Sequence, residues 1–373
     1  MRAGSDVAVP LISRAEAIGG ARMSYAEARS SPCLSCDTSP CCRVLPLTTF
    51  DVRDLNGLDH AAYLLNFERI ELGISKSGRW SAYFRQACRF LDTDNFGCTV
   101  HDTPAQPRLC VHYSPYGCWY ESIYGPERSD QYLRVDRRRM EVVLDAVVFD
   151  EDRSIVAMPG WDELLAAFDE LPIDDRDLVQ ATPPPPVLGQ WQAVVLGTRP
   201  EAASVAAGTA RRATDTVVSR PCEGCEATCC STLVFPLPAP ESMGNLDRWR
   251  FLLGFPGVEI TAGDEGWAMA VKTRCRHLVA GRCGVFGRPE RPLICSYYNE
   301  LKCTYRTRFG TARPEGFVRI TLEKLPWLLE CIRFDDVGRV TATLPADAIR
   351  QHLERRMAEA APAYATSNGR PAP

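Results

Sequence analysis

The chain has 373 residues, 45% hydrophobic and 24% charged, with a net charge of −4; that is length enough for buried cores in two or three domains, and no basic stripe marks a nucleic-acid or anionic-membrane surface. No apolar run approaches the roughly 20 residues of a membrane helix, and the opening MRAGSDVAVPLISRAEAIGG lacks the apolar stretch of a secretory signal, so the expected setting is the cytoplasm. In a reducing cytosol, 17 cysteines at fixed spacings point to metal ligands or redox groups rather than disulfides.

In chain order, a leader segment (1–30) precedes PCLSCDTSPCC at 32–42. TTFDVRDLNGL (48–58) is then expected as a short helix with Thr48 or Thr49 as N-cap. DHAAYLLNFERIELG (59–73) reads as an amphipathic helix and RWSAYF (79–84) as a strand. From Cys88 to Cys118 the sequence is turn-rich. RRRMEVVLDAVVF (137–149) predicts a helix, SIVAM (154–158) a strand and WDELLAAFDEL (161–171) a helix. DDRDLVQATPPPPVLGQ is a stiff Pro-rich spacer. VAAGTARRATDTVVSRP after it weakly resembles AIGGARMSYAEARSSP ahead of the first motif, so a short leader helix is expected before each. Later come LEKLPWLLECIRF (322–334, helix, with Pro326 in its first turn), RVTATL (339–344, strand) and ADAIRQHLERRM (346–357, helix). The tail 361–373 reads as disordered.

The chain reads as one unit written twice. The first half carries Cys33, Cys36, Cys41, Cys42, Cys88, Cys98, Cys110 and Cys118; the second carries Cys222, Cys225, Cys229, Cys230, Cys275, Cys283, Cys295 and Cys303. Cys98 to Cys110 and Cys283 to Cys295 are both 12 apart, and Cys110 to Cys118 and Cys295 to Cys303 both 8. Trp80 and Trp267 each stand 8 before the fifth cysteine of their half, and Tyr113 and Tyr298 each follow the seventh by 3. Beyond the cysteines an offset of 185 continues, pairing Tyr132 with Phe317 and FDED (149–152) with FDDV (334–337). Cys331 falls opposite Ala146 and reads as a core thiol. The expected fold is α+β: two tandem, duplicated, small cysteine-rich domains stapled by metal, each with helices and a few short strands. Their expected extents are 31–172 and 220–360, joined by 173–219.

Neighbouring Cα atoms lie about 3.8 Å apart, below the disulfide window of roughly 4.4–6.8 Å, so Cys41 is not expected to bridge Cys42. C-x2-C places two sulfurs on one tight turn, near enough to share an ion. All-sulfur sites select zinc, copper(I) or iron–sulfur clusters. Eight sulfurs per half suffice for two four-thiolate zinc sites, or for one [4Fe–4S] cluster with four thiols over. All sixteen paired cysteines are candidate ligands, and the cofactor is zinc or an iron–sulfur cluster, with one or two metal centres per repeat. His60, His101, His112 and His277 have no histidine counterpart in the other half and read as flanking or surface groups.

The residues CEGCEATCC, CRHLVAGRCGVFGRPERPLICSYY, CLSCDTSPCC and CRFLDTDNFGCTVHDTPAQPRLC give the chain a resemblance to the YkgJ-type CxxCxxCC cysteine-cluster family, described as a zinc- or iron-chelating domain. The family's C…C…RP…C ending matches Cys275, Cys283, Arg291-Pro292 and Cys295. The first half departs in having four residues before its CC pair and Gln106-Pro107 in place of Arg-Pro. The resemblance covers about 85 residues of each half and implies metal binding by the cysteines. Flagellin lysine N-methylases share the cysteine pattern, which hints at methylation linked to S-adenosylmethionine.

The function expected is that of a metal-binding cysteine-cluster protein with two similar soft-metal sites. The alternatives are an iron–sulfur-dependent enzyme such as a protein N-methylase, or a two-cluster electron carrier. Motifs of ordinary enzymes, G-x-G-x-x-G, G-x4-G-K-[ST], H-E-x-x-H and G-x-S-x-G, are missing, which leaves enzymatic activity open. Partners expected are metal ions, with a protein partner or substrate left open, and neither nucleic acid nor membrane.

Overall fold

The computed structural model describes residues 36, 39–92, 94–113, 118–125, 129–173, 227–263, 265–298, 303–309 and 317–360. The leader segments, the Pro-rich spacer and the tail lie outside them, as do Cys33, Cys222 and Cys225.

The first half runs β1 (Val44–Phe50), α1 (Leu55–Leu64), β2 (Ile70–Ser75), β3 (Trp80–Arg85), α2 (Arg108–His112), α3 (Trp119–Tyr124), β4 (Tyr132–Val135), α4 (Arg137–Ala146), β5 (Val148–Phe149), β6 (Ile155–Ala157) and α5 (Trp161–Asp169). The second runs β7 (Thr232–Leu237), α6 (Met243–Leu253), β8 (Val258–Gly263), β9 (Gly266–Lys272), β10 (Leu278–Val279), β11 (Arg282–Cys283), α7 (Leu293–Tyr297), α8 (Thr304–Phe309), β12 (Val318–Ile320), α9 (Leu325–Leu329), β13 (Ile332–Phe334), β14 (Val340–Thr343) and α10 (Ala346–Ala360). The class is α+β, with antiparallel sheets. One four-stranded sheet has the order β1-β3-β2-β4 and the other β7-β9-β8-β12, the same path in each half. Even an isolated bridge recurs: Asp54 with Ser154, and Ser242 with Arg339. Among the described residues no helix is long and apolar enough to cross a membrane.

Four expected helices are corrected; the one over 137–149 ends at Ala146 and gives way to β5. Residues 48–50 belong to β1, where Thr48 pairs with Ala82 and Phe50 with Trp80; β-branched and aromatic side chains suit that pleated surface. The helix starts at Leu55, and its cap is Asp54, whose carboxylate accepts from Gly57 N at 2.8 Å. The expected helix over 59–73 stops at Leu64, and Arg69, at φ 63°, turns the chain into β2. β2 lies between β3 and β4 with five of its six residues buried, and its Ile70, Leu72 and Ile74 alternate with Glu71, Gly73 and Ser75, the period of a strand. The helix expected over 322–334 is also shorter. It runs as a 3-10 turn and α9 with Pro326 in the first turn, then gives way to β13. Cys331 is buried at that junction, its Sγ 3.6 Å from Trp327 O.

Contacts divide the chain into two units. The first comprises Met1–Gly97, Tyr113–Pro183 and Val285–Tyr297; the second comprises Cys98–His112, Pro184–Gly284 and Tyr298–Pro373. The first unit's core gathers Leu58 and Leu64 of α1 with Leu45, Leu72, Trp80, Tyr83 and Phe84 of its sheet. The second gathers Leu246, Trp249 and Leu253 of α6 with Phe255, Ile260, Met269 and Val271. Burying each such side chain is worth roughly 1.5–3 kcal/mol.

Each unit thus holds a short helix from the other half. In the first, Asp59 of α1 accepts from Leu293 N of α7 at 2.8 Å. In the second, Asp247 of α6 accepts from Arg108 N of α2 at 2.7 Å, and the Arg250 guanidinium donates to Pro104 O at 3.1 Å and Gln106 O at 2.9 Å. The aspartates serve as caps supplied from a distant part of the chain. Asp59→Ala is expected to cost about 1 kcal/mol and to speed amide hydrogen exchange over 293–297 alone, with Asp247→Ala doing the same over 108–112.

Candidate metal centre

The CC pairs sit on the same turn in both halves. Ser39, at φ 40°, leads into a 3-10 turn Pro40–Cys42, and Ala227, at φ 51°, leads into Thr228–Cys230. A left-handed backbone at a residue with a side chain costs energy, and here it recurs at the same step of the motif. Cys42 N donates to Ser39 O at 2.9 Å and Cys230 N to Ala227 O at 2.8 Å. The fifth cysteine then closes onto the pair: Cys88 N donates to Cys42 O at 2.6 Å, and Cys275 N to Cys230 O at 2.7 Å. The first cysteine after β3, or after β9, is thereby fixed beside the CC turn at the start of β1, or of β7.

Sulfur chemistry follows from this packing. The Cys42 thiol hydrogen-bonds to Cys41 and lowers the Cys41 pKa, against the raising effect of burial. In the second half Cys230 bonds to both Cys229 and Cys275, which raises Cys230 and brings Cys275 down to about 7. A thiol chain that concentrates negative charge on one sulfur favours the form that binds metal. Further along, the Tyr113 hydroxyl donates to Cys118 Sγ at 3.7 Å while accepting from Trp119 N at 2.9 Å. Its counterpart Tyr298 accepts from Thr304 N at 3.1 Å and bonds to Cys303. These tyrosines brace the eighth cysteine of each half. Cys41 and Cys118 both pack against the buried cluster of Val44, Tyr83, Tyr120, Ile123 and Tyr124.

The first unit holds Cys36, Cys41, Cys42, Cys88, Cys118 and Cys295; the second holds Cys98, Cys110, Cys229, Cys230, Cys275, Cys283, Cys303 and Cys331. The structure therefore brings together Cys41 with Cys42, and Cys229 with Cys230 and Cys275, whereas Cys98, Cys110 and Cys295 stand in the unit dominated by the other half. None of the fourteen described cysteines forms a disulfide. Among the described residues, no group of three or more His, Cys, Asp or Glu is placed to hold a metal ion. The donor set is nonetheless of one kind, soft sulfur, which suits zinc, copper(I) or iron–sulfur clusters. His60 instead packs edge-on to Phe50, with ring centroids 5.8 Å apart, and its burial lowers its pKa.

Two features were not read from the sequence. Each sheet carries an ion pair, buried in the first half and partly exposed in the second: Arg134 holds Glu71 with two bonds of 2.7 and 2.8 Å, and Arg319 holds Glu259 with two of 2.6 Å. Arg85 adds a third contact to Glu71 at 3.4 Å. The signal was available, since IELGIS and VEITAG each set one acid in an apolar strand, and YLRV and FVRI each one arginine. The second feature is Arg43, buried beside the first CC pair, whose counterpart is Ser231. No family model, curated protein or solved structure matches the chain.

Proposed function

We propose that the chain is a tandem duplication that binds soft metal at two similar thiolate centres, one per copy, each holding zinc or an iron–sulfur cluster, in a cytoplasmic protein. One observation carries the reading: a single thiol turn recurs in both halves, with a left-handed residue, a CC pair on a 3-10 turn, and the next cysteine's N–H on the pair's last carbonyl. The hydrogen-bonded sulfurs of Cys229, Cys230 and Cys275 support it, because they gather donors where like groups otherwise gain nothing by meeting. The equal strand orders of the two sheets support the duplication. Cys33 with Cys36, and Cys222 with Cys225, are the further donors that the proposal adds to these turns.

Elemental analysis of protein purified without oxygen, with acid-labile sulfide and a visible spectrum, tests this reading. Zinc without colour is the result expected of a metal-stapled binding protein. Iron with matching sulfide and a broad visible band opens the electron-carrier and methylase alternatives. A chain carrying neither metal, in a folded state, overturns the proposal.

A further inference from the structure

The buried cluster of Val44, Tyr83, Ile123 and Tyr124 in the first half is built differently in the second. Strand pairing sets Val44 opposite Arg85 and Tyr83 opposite Glu71; in the second half it sets Thr232 opposite Lys272 and Ala270 opposite Glu259. With the offset of 185 beyond the cysteines, the four residues are answered by Thr232, Ala270, Arg308 and Phe309. One aliphatic side chain becomes a hydroxyl, another a cation, and a large ring shrinks to a methyl. Ile123 and Tyr124 are buried, whereas Arg308 and Phe309 are half-buried.

The charges are arranged differently as well. In the first half both strand cations, Arg134 and Arg85, lie on Glu71, at 2.7 and 3.4 Å. In the second, Arg319 bonds Glu259, while Lys272 turns to a neutral partner, its Nζ donating to Thr232 Oγ1 at 3.2 Å. Among the described residues no carboxylate pairs with Lys272, and an ammonium has three donors to place. Its Nζ lies over the Phe309 ring at 4.6 Å and Arg319 over the same ring at 5.7 Å; Arg308 lies over Phe317 at 5.7 Å, and the two ring centroids are 5.6 Å apart. The carboxylate that pairs with Arg308, that of Glu265, is itself 67% exposed.

We propose that the second copy carries a binding site, absent from the first, for a small organic anion with an aromatic body: Lys272 takes the phosphate or carboxylate, Arg308 adds a second charge, and the Phe309 and Phe317 rings take the body. The site is separate from the thiol turns and does not depend on metal. A charge-assisted bond to a half-buried ammonium is stronger than one at open surface, and an aryl group set against two rings gains apolar contact and ring–ring attraction together.

Isothermal titration calorimetry of the full chain with phenyl phosphate, and with inorganic phosphate for comparison, tests this. Phenyl phosphate is expected to bind about tenfold or more tightly than inorganic phosphate. Lys272→Met is expected to weaken phenyl phosphate by about tenfold or more, Lys272→Arg to retain most of the affinity, and Arg308→Ile to lose about threefold. No binding of phenyl phosphate by the wild-type chain overturns the inference, as does equal affinity for the two anions or a loss as large for Lys272→Arg as for Lys272→Met. Unchanged affinity in Lys272→Met overturns it too; where that variant fails to fold, unchanged affinity in Arg308→Ile does so instead.

Discussion

Glu71→Ala is expected to lower the free energy of unfolding by about 3–5 kcal/mol. The Glu71 side chain is 2% exposed, and the Arg134 and Arg85 side chains that face it are 12% and 11% exposed. Alanine leaves both guanidiniums buried without their carboxylate, and the cost is mostly that of two desolvated cations rather than the worth of the pair itself. Arg134 also lies over the Tyr124 ring at 4.6 Å, which fixes it in place and prevents an easy swing to water. Glu71→Gln separates charge from volume and is expected to lose nearly as much. The equivalent Glu259→Ala is expected to cost about 1 kcal/mol, because Arg319 is 39% exposed and regains water. Urea denaturation of the two variants checks the contrast; equal losses would show that burial does not govern the pair.

Cys225→Ser/Cys229→Ser is expected to halve the metal bound per chain. A hydroxyl is a poor donor to a soft metal where a thiolate is a good one, so removing two sulfurs opens one centre. Cys229 belongs to the thiol chain that runs through Cys230 to Cys275, and none of these residues stands on the turn of Cys41 and Cys42. The remaining centre should therefore stay loaded. Cys36→Ser/Cys41→Ser is expected to give the complementary half. Metal analysis decides it: a drop to zero in either variant means one shared centre rather than two, and no drop in both means that these sulfurs hold nothing.

Much of the fold was legible where one periodicity ran unbroken between clear ends. β3, α5 and α10 are examples, and so is the start of α4, opened by Asp136, whose carboxylate accepts from Arg139 N at 3.0 Å, although that helix ends at Ala146 rather than running on through 149. The stretch from Thr48 to Gly73 was misread because the alternation of Ile70, Leu72 and Ile74 with Glu71, Gly73 and Ser75 follows directly on a helical stretch and was merged with it. Over 48–50, pairing partners decide it, Trp80 and Ala82 across from β1. The thiol turns were legible because a C-x2-C and an adjacent cysteine pair recur in both halves, with four residues between them in the first and three in the second. Arg43 was not, since its counterpart is a serine and no repeat flags it. Nor does spacing along the chain reveal that Cys110 and Cys295 lodge with the opposite half's sheet; that depends on which aspartate caps which helix.

Those two caps bear on heredity as well as on folding. A gene cut within the Pro-rich segment would not yield two smaller editions of this protein. One product would carry Asp59 with no Leu293 to hold, and Arg108 with no Asp247 to receive it; the other would be deficient in the mirror sense. Once the two halves had come to lend each other a helix, a mutation separating them had two losses to make good at once, and the fused arrangement became hard to leave.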